Sequence, residues 1–349
     1  MKKYIIWFLS NRFVVLATFV VFFLAMSSGL LYYSMGRGAT SSLTQHFLER
    51  QKSVAKMGAN SITNLIDLST KSLVLLTEDD DLVFVTANTQ ERMQTFIDNW
   101  ASTPVIGIFR FDNHGNRIAG ALNLEQTEIK GAVNFSELEC INWAKTAQPG
   151  EICITDPLIP KQENTKHIGY VIAIFTPIHI NGKLDGSLVL AMSLNKLAES
   201  YLDTLRVTDG TMASILVSDG RIVYSDNQDF LSKNLLEELR QNIFLGSTAL
   251  VDDVEQILKT NEAGSWDVAL PQPVDYRLQR MLVAYAPIQV NGGRWVLITR
   301  TPHFQALQMI APFYTREIGI ITVGFLILLL FTVIILSGRS LIYKKLQKT

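Results

Sequence analysis

Residues 171–192 read VIAIFTPIHINGKLDGSLVLAM, and residues 281–300 read MLVAYAPIQVNGGRWVLITR. Aligning Pro177 with Pro287 also aligns Ile178 with Ile288, Ile180 with Val290, Asn181 with Asn291 and Gly182 with Gly292, so one structural unit occurs twice. Each copy is an apolar strand, a proline-isoleucine step, an Asn-Gly pair and a second apolar strand. Asn-Gly between β-rich runs is a strong hairpin signal, because both residues tolerate positive φ.

Upstream of each copy stands a second matching pair, VIGIFRFDNHGNRIAG from Val105 and MASILVSDGRIVYSD from Met212. The turns are expected at 113–116 and 218–221. Two hairpins per copy predict four or five antiparallel strands. Stretches of helical or irregular character intervene, at 135–146 in the first copy and at 229–244 and 251–259 in the second. Each copy is therefore expected to be a small antiparallel sheet with helices against one face, an α+β fold.

Before the first copy, Leu43, Phe47, Val54, Ile62, Leu65, Ile66, Leu73 and Leu76 recur at steps that mostly sum to three or four. This is the pattern of one long amphipathic helix, a stalk over 38–76, whose stripe is available to the neighbouring domains or to a second copy of the chain. Some 35 residues of helix reach about 50 Å. The acidic run 78–81 reads as a solvated turn with Asp80 or Asp81 as a helix cap, since calcium loops need ligands at alternating positions and a glycine at the bend. A further helix is expected around 90–101, ending before Pro104.

Two uncharged apolar runs, 13–33 and 318–336, bracket all of this, each near the ~20 residues a helix needs to cross a hydrocarbon core. Lys2, Lys3 and Arg12 precede the first, while Arg339, Lys344, Lys345 and Lys348 follow the second. By the positive-inside rule, 1–12 and 337–349 are cytoplasmic and the middle is exported. A cleaved signal peptide is the other reading of the first run, but its length and its outer tyrosines favour a span.

A net charge of −1 gives no reason to expect a nucleic-acid partner. The five histidines are scattered, with no metal-pair spacing, and no nucleophile elbow, phosphate loop or Cys-x-x-Cys occurs. The chain is thus expected to be no enzyme, with no metal and no cofactor. Its two cysteines, Cys140 and Cys153, fall in the exported part, where a bridge and a pair of buried thiols are both open readings.

A long stalk helix, two tandem PAS-like sheets and two flanking spans together resemble the double Cache family of extracytoplasmic sensor domains of bacterial transmembrane receptors. The resemblance rests on the order of elements, on the DNHGN and SDG hairpins, on ITDPLIP from Ile154 and on the repeated strand pair. It implies a membrane-distal, ligand-binding module over 78–204 and a membrane-proximal module over 205–305 that passes the change to the second span. The pocket candidates are Arg110 on the first hairpin, Trp143 on the following helix, Asp156 in ITDP and Tyr170 on the returning strand. Arg110 could grip a carboxylate bidentately. Where amino-acid-binding members carry an arginine and an aromatic pair, this chain has ELECINWAKTA, with no arginine two residues before Trp143, so the ligand class stays open.

The resemblance implies a sensor in the bacterial inner membrane with a periplasmic or extracellular middle. It would bind a small ligand and act on a cytoplasmic kinase, cyclase or chemoreceptor transmitter absent from this chain, and the apolar stripe of the stalk gives the expectation of a homodimer. The alternative is an envelope assembly protein whose modules bind a protein partner.

Overall fold

The computed structural model describes residues 2–123, 139–159, 169–202, 206–241, 248–271, 278–291 and 293–308, with a few positions between 319 and 327. A single helix, α1 (Lys2–Leu76), runs through both the first apolar stretch and the stalk. Most side chains of 13–33, and most of 318–336, lie outside the described residues; among the described ones no helix is long and apolar enough to cross a membrane. The described residues before Leu48 and after His303 form one compact unit, and those from Leu48 to His303 form another.

The second unit carries both sheets. In the first, β1 (Val105–Asp112), β2 (Arg117–Leu122), β3 (Cys153–Ile154), β4 (Val171–Ile180) and β5 (Lys183–Ser193) run in the order β2-β1-β5-β4-β3. In the second, β6 (Met212–Val217), β7 (Ile222–Ser225), β8 (Gly264–Pro271), β9 (Leu278–Val290) and β10 (Gly293–Pro302) repeat that order as β7-β6-β10-β9-β8. The sequence repeat is therefore a repeat of topology, five strands in each copy. Asn181 and Gly182 turn β4 into β5 with φ of 53° and 74°, as the Asn-Gly pair requires.

The short helices follow from local sequence. After α1, α2 (Asp80–Val83) is capped by Asp79, whose carboxylate accepts from Asp81 N at 3.0 Å. The cap is thus one residue earlier than expected, because the Asp79 backbone is still extended while Asp80 is already helical. Next come α3 (Thr89–Asn99), α4 (Glu139–Ala144) and α5 (Leu194–Leu202), which leads from β5 toward the second sheet. In the second module a 3-10 turn (Gln228–Phe230) precedes α6 (Leu235–Gln241) and α7 (Thr248–Lys259).

The expectation of helices against one face is corrected by the structure: both faces of each sheet are covered. Ala55, Ala59, Ile62, Leu65, Ile66 and Leu73 of α1 form one core with Ile108, Ile172, Ile174, Leu188 and Leu190 of the first sheet and with Ile215, Ala284, Ile288, Trp295 and Leu297 of the second. On the opposite face, α4 covers Phe109, Phe111, Phe175 and Val189 of the first sheet. In the same way α6 and α7 cover Leu216, Val283, Val296 and Ile298 of the second. Two covered faces explain why β1 is buried at seven of its eight positions and why the strands read as unbroken apolar runs instead of alternating ones.

The α1 stripe is consequently used within the chain from Ala55 onward. On the other side of the helix Met57, Leu68 and Leu75 are exposed.

Candidate functional site

The first sheet offers the candidate site on its α4 face. Phe109 dictates its shape. A Cβ on Gly107 would come within 2.9 Å of the Phe109 ring, and one on Gly120 within 2.7 Å, so the ring packs against two bare backbone positions. Gly120 stands directly across the β1–β2 ladder from Phe109. Phe111 packs beside it, with ring centroids 6.4 Å apart. The Arg117 guanidinium sits 5.8 Å above the Phe109 centroid, within cation–π range, and its side chain is exposed.

The wall opposite is α4, tethered to β3 by a disulfide between Cys140 and Cys153, whose Cα atoms are 5.7 Å apart. This bridge fixes Trp143, half-buried on the same cluster as Phe109, Phe111 and Phe175. After β3 the chain clings to β4 at Thr155, whose backbone N donates to the Ala173 carbonyl and whose hydroxyl oxygen accepts from Ala173 N, and again at Leu158, which exchanges two backbone hydrogen bonds with Val171. Asp156 and Pro157 lie between those two anchors, where proline cannot donate to the ladder, and Asp156 is exposed there.

Arg110 and Tyr170, the other two residues singled out from the sequence, stand elsewhere. Arg110 is fully buried on the α1 face, the opposite one from Trp143. Its Nη2 donates to Asp185 Oδ2 at 2.5 Å and to the Val83 carbonyl at 3.3 Å, and its Nη1 donates to the Phe111 carbonyl. Burial lowers its pKa and the Asp185 carboxylate raises it again, the first effect winning. Arg110 ties the end of α2 to the β4–β5 hairpin. Tyr170 is buried in the shared core and donates to Ser232 Oγ of the second module at 3.1 Å.

Of the four residues singled out from the sequence, Trp143 packs on the α4-face cluster and Asp156 is exposed beyond β3, while Phe109 and Arg117 were not among them. The signal for Phe109 was the glycine on either hairpin arm, which becomes readable only once the register pairs Gly120 with Phe109. Asp112 closes that hairpin by accepting from His114 N at 2.9 Å and Asn116 N at 2.8 Å. Partial burial opposes its ionisation, but the hydrogen bonds from Asn116 and His114 prevail and hold its carboxyl below the usual range.

Among the described residues no cluster of histidine, cysteine or carboxylate side chains could hold a metal ion.

Two sheets of identical strand order on one continuous helix define a tandem PAS-like module. The chain belongs to the Cache domain family, whose dCache_1 model matches residues 39–310. Two solved structures share the fold. One is the extracellular domain of a protein described as a histidine kinase, vpHK1S-Z8, with a TM-score of 0.58, 15% identity, and 78% of this chain and 96% of that one covered. The other is a domain of a sensory box/GGDEF family protein from Vibrio parahaemolyticus, with a TM-score of 0.57, 15% identity, and 76% and 98% covered. Comparison with curated protein sequences returned no match.

Proposed function

We propose that this chain is a membrane-anchored extracytoplasmic sensor. It binds a small organic ligand on the α4 face of its first module and relays the change through 318–336 to a cytoplasmic transmitter of kinase, cyclase or chemoreceptor type. The observation that carries this reading is the Phe109 platform. Two glycines make room for a flat aromatic ring, an exposed arginine stands over it, and a disulfide holds Trp143 on the facing helix. An aromatic floor with one cation and few other polar groups is the composition of a small-molecule site.

Several further features support the reading. A disulfide suits an oxidising, exported compartment. The apolar runs 13–33 and 318–336, with their basic flanks, supply the anchors and place both termini in the cytoplasm. Relay needs a contact that differs between bound and free states, since only differential affinity shifts an equilibrium. Gln51 of α1 offers one, donating to Thr299 and Thr301 of β10, the strand that leads out of the module. The exposed Met57, Leu68 and Leu75 give a homodimer a face on α1 that the sheets do not use.

The test is a thermal-shift screen of the full chain in detergent against amino acids, organic acids, amines, purines and sugars. A ligand of the folded state raises the melting temperature by mass action. A hit lost in both Trp143→Ala and Phe109→Leu supports the first-module site. A hit that survives both refutes it, and a library without hits favours a protein partner.

A further inference from the structure

We propose that the second module holds a binding site of its own, for a small monocarboxylate, with the Arg300 guanidinium as anion reader and the Phe230 ring as floor. Nothing in this depends on the first-module site, which lies on a different sheet.

Arg300 is a charged residue set among the buried positions 295–299 and 301–302 of β10. Its neighbours Thr299 and Thr301 both receive hydrogen bonds from Gln51 of α1, at 3.3 and 3.2 Å. Side chains alternate along a strand, so Arg300 faces the other side, the one covered by α6 and α7. There its Cζ lies 4.3 Å from the centroid of Phe230. Burial holds its pKa down to about 10, with Asp226 acting in the opposite sense, so the group is still a cation at neutral pH.

Two of its nitrogens, Nε and Nη2, are shut away from solvent and have no hydrogen-bond partner. These two N–H groups share one edge of the guanidinium plane and point the same way, the fork that a carboxylate fills with its two oxygens. Buried polar groups are nearly always paired, and an orphaned pair on a buried cation carries a large desolvation cost, so this edge calls for an acceptor.

Asp226 is not that acceptor. Its Oδ1 takes the Tyr224 hydroxyl at 2.7 Å and stands 3.6 Å from Arg206 Nη2, and its Oδ2 takes Ala213 N at 2.7 Å. Its charge nevertheless reaches Arg300 and disfavours a dianion there. The neighbouring positions on that face are apolar: Met212 and Val283 pair with Arg300 across the two ladders, and Ile298 stands two residues before it in the same cluster as Val283. A single negative charge on a short apolar body matches this set, as in acetate, propionate or pyruvate.

The test is titration calorimetry on the full chain in detergent with acetate, propionate and pyruvate, with sulfate and propylamine as controls. A carboxylate is expected to bind, and Arg300→Gln to weaken it at least about tenfold, as the loss of a charged bidentate contact does. Phe230→Ala, which keeps the guanidinium, is expected to weaken it severalfold and decides the matter if the arginine variant fails to melt cooperatively. Trp143→Ala is expected to leave this binding unchanged. No carboxylate binding to the wild type, binding undiminished in either folded variant, or sulfate bound as tightly as pyruvate would overturn the assignment.

Discussion

The phenol of Tyr170, the residue just before β4, donates to the hydroxyl of Ser232, in the loop before α6, across 3.1 Å. It is a direct side-chain link between the two modules, made by a residue whose ring is already buried in the core they share with α1. Tyr170→Phe keeps the ring and removes this bond, so a loss of about 0.5–1.5 kcal/mol is expected from chemical denaturation. Ser232→Ala in the Tyr170→Phe background should add almost nothing, a non-additivity that a double-mutant cycle measures.

Gly120→Ala drives a methyl group to within 2.7 Å of Phe109 Cδ1 and 3.1 Å of the Ile108 carbonyl. Overpacking of this kind costs ~1–3 kcal/mol. Pairing it with Phe109→Leu, which clears the ring, should recover a large part of the melting temperature. It should not recover ligand binding, because the platform is gone.

Cys140→Ala is expected to lower stability by about 2–4 kcal/mol, the usual range for opening a native bridge. Reductant should lower the melting temperature of the wild type and leave that of the Cys140→Ala/Cys153→Ala double variant unchanged. Ligand affinity should fall with the bridge as well, since Cys140 precedes Trp143 by one turn of α4.

Gln51 is fully buried and donates to two threonines, one of which, Thr301, also shares a 2.8 Å bond with Thr211. Gln51→Ala leaves a cavity and strips those hydroxyls of a donor, at an expected cost of ~1–3 kcal/mol. Denaturant midpoints report it. The same variant should weaken the response of any transmitter to ligand without weakening ligand binding itself, if α1 and β10 are coupled through this residue.

Asp112 has its carboxyl pKa depressed by the Asn116 and His114 hydrogen bonds once the opposing effect of partial burial is overcome. A depressed carboxyl contributes stability that is fully present above its unfolded pKa, about 3.9, and is lost as the pH falls through the lower folded value. Wild-type and Asp112→Asn melting temperatures should therefore converge on acidification below about pH 4.

Much of this architecture could be read before any coordinates. The paired PIHING and PIQVNG segments announced two equal modules because hairpin chemistry is local: Asn181 and Gly182 need only their own backbone freedom to turn the chain. The stalk periodicity was equally local, and Ile62, Leu65, Ile66 and Leu73 are buried as a helical stripe predicts. The covering of both sheet faces was less legible. Strands buried on two sides lose their alternation, which removes the cue that separates one face from the other.

That loss explains the fate of the site residues. Along VIGIFRFD nothing in the order of residues says which of Arg110 and Phe109 looks toward α4. Only the ladder decides, by pairing Phe109 with Gly120 and setting Arg110 against Leu188 on the α1 face. The same holds for Arg300, conspicuous as a charge in an apolar strand but identified as an unmatched fork only by what surrounds it. Sequence by itself determined the elements, the repeat and the apolar runs, because these follow from backbone preference and hydrophobic period. Tertiary structure alone decided which side chains meet, because strand register and the packing of one helix across two sheets join residues that lie far apart along the chain.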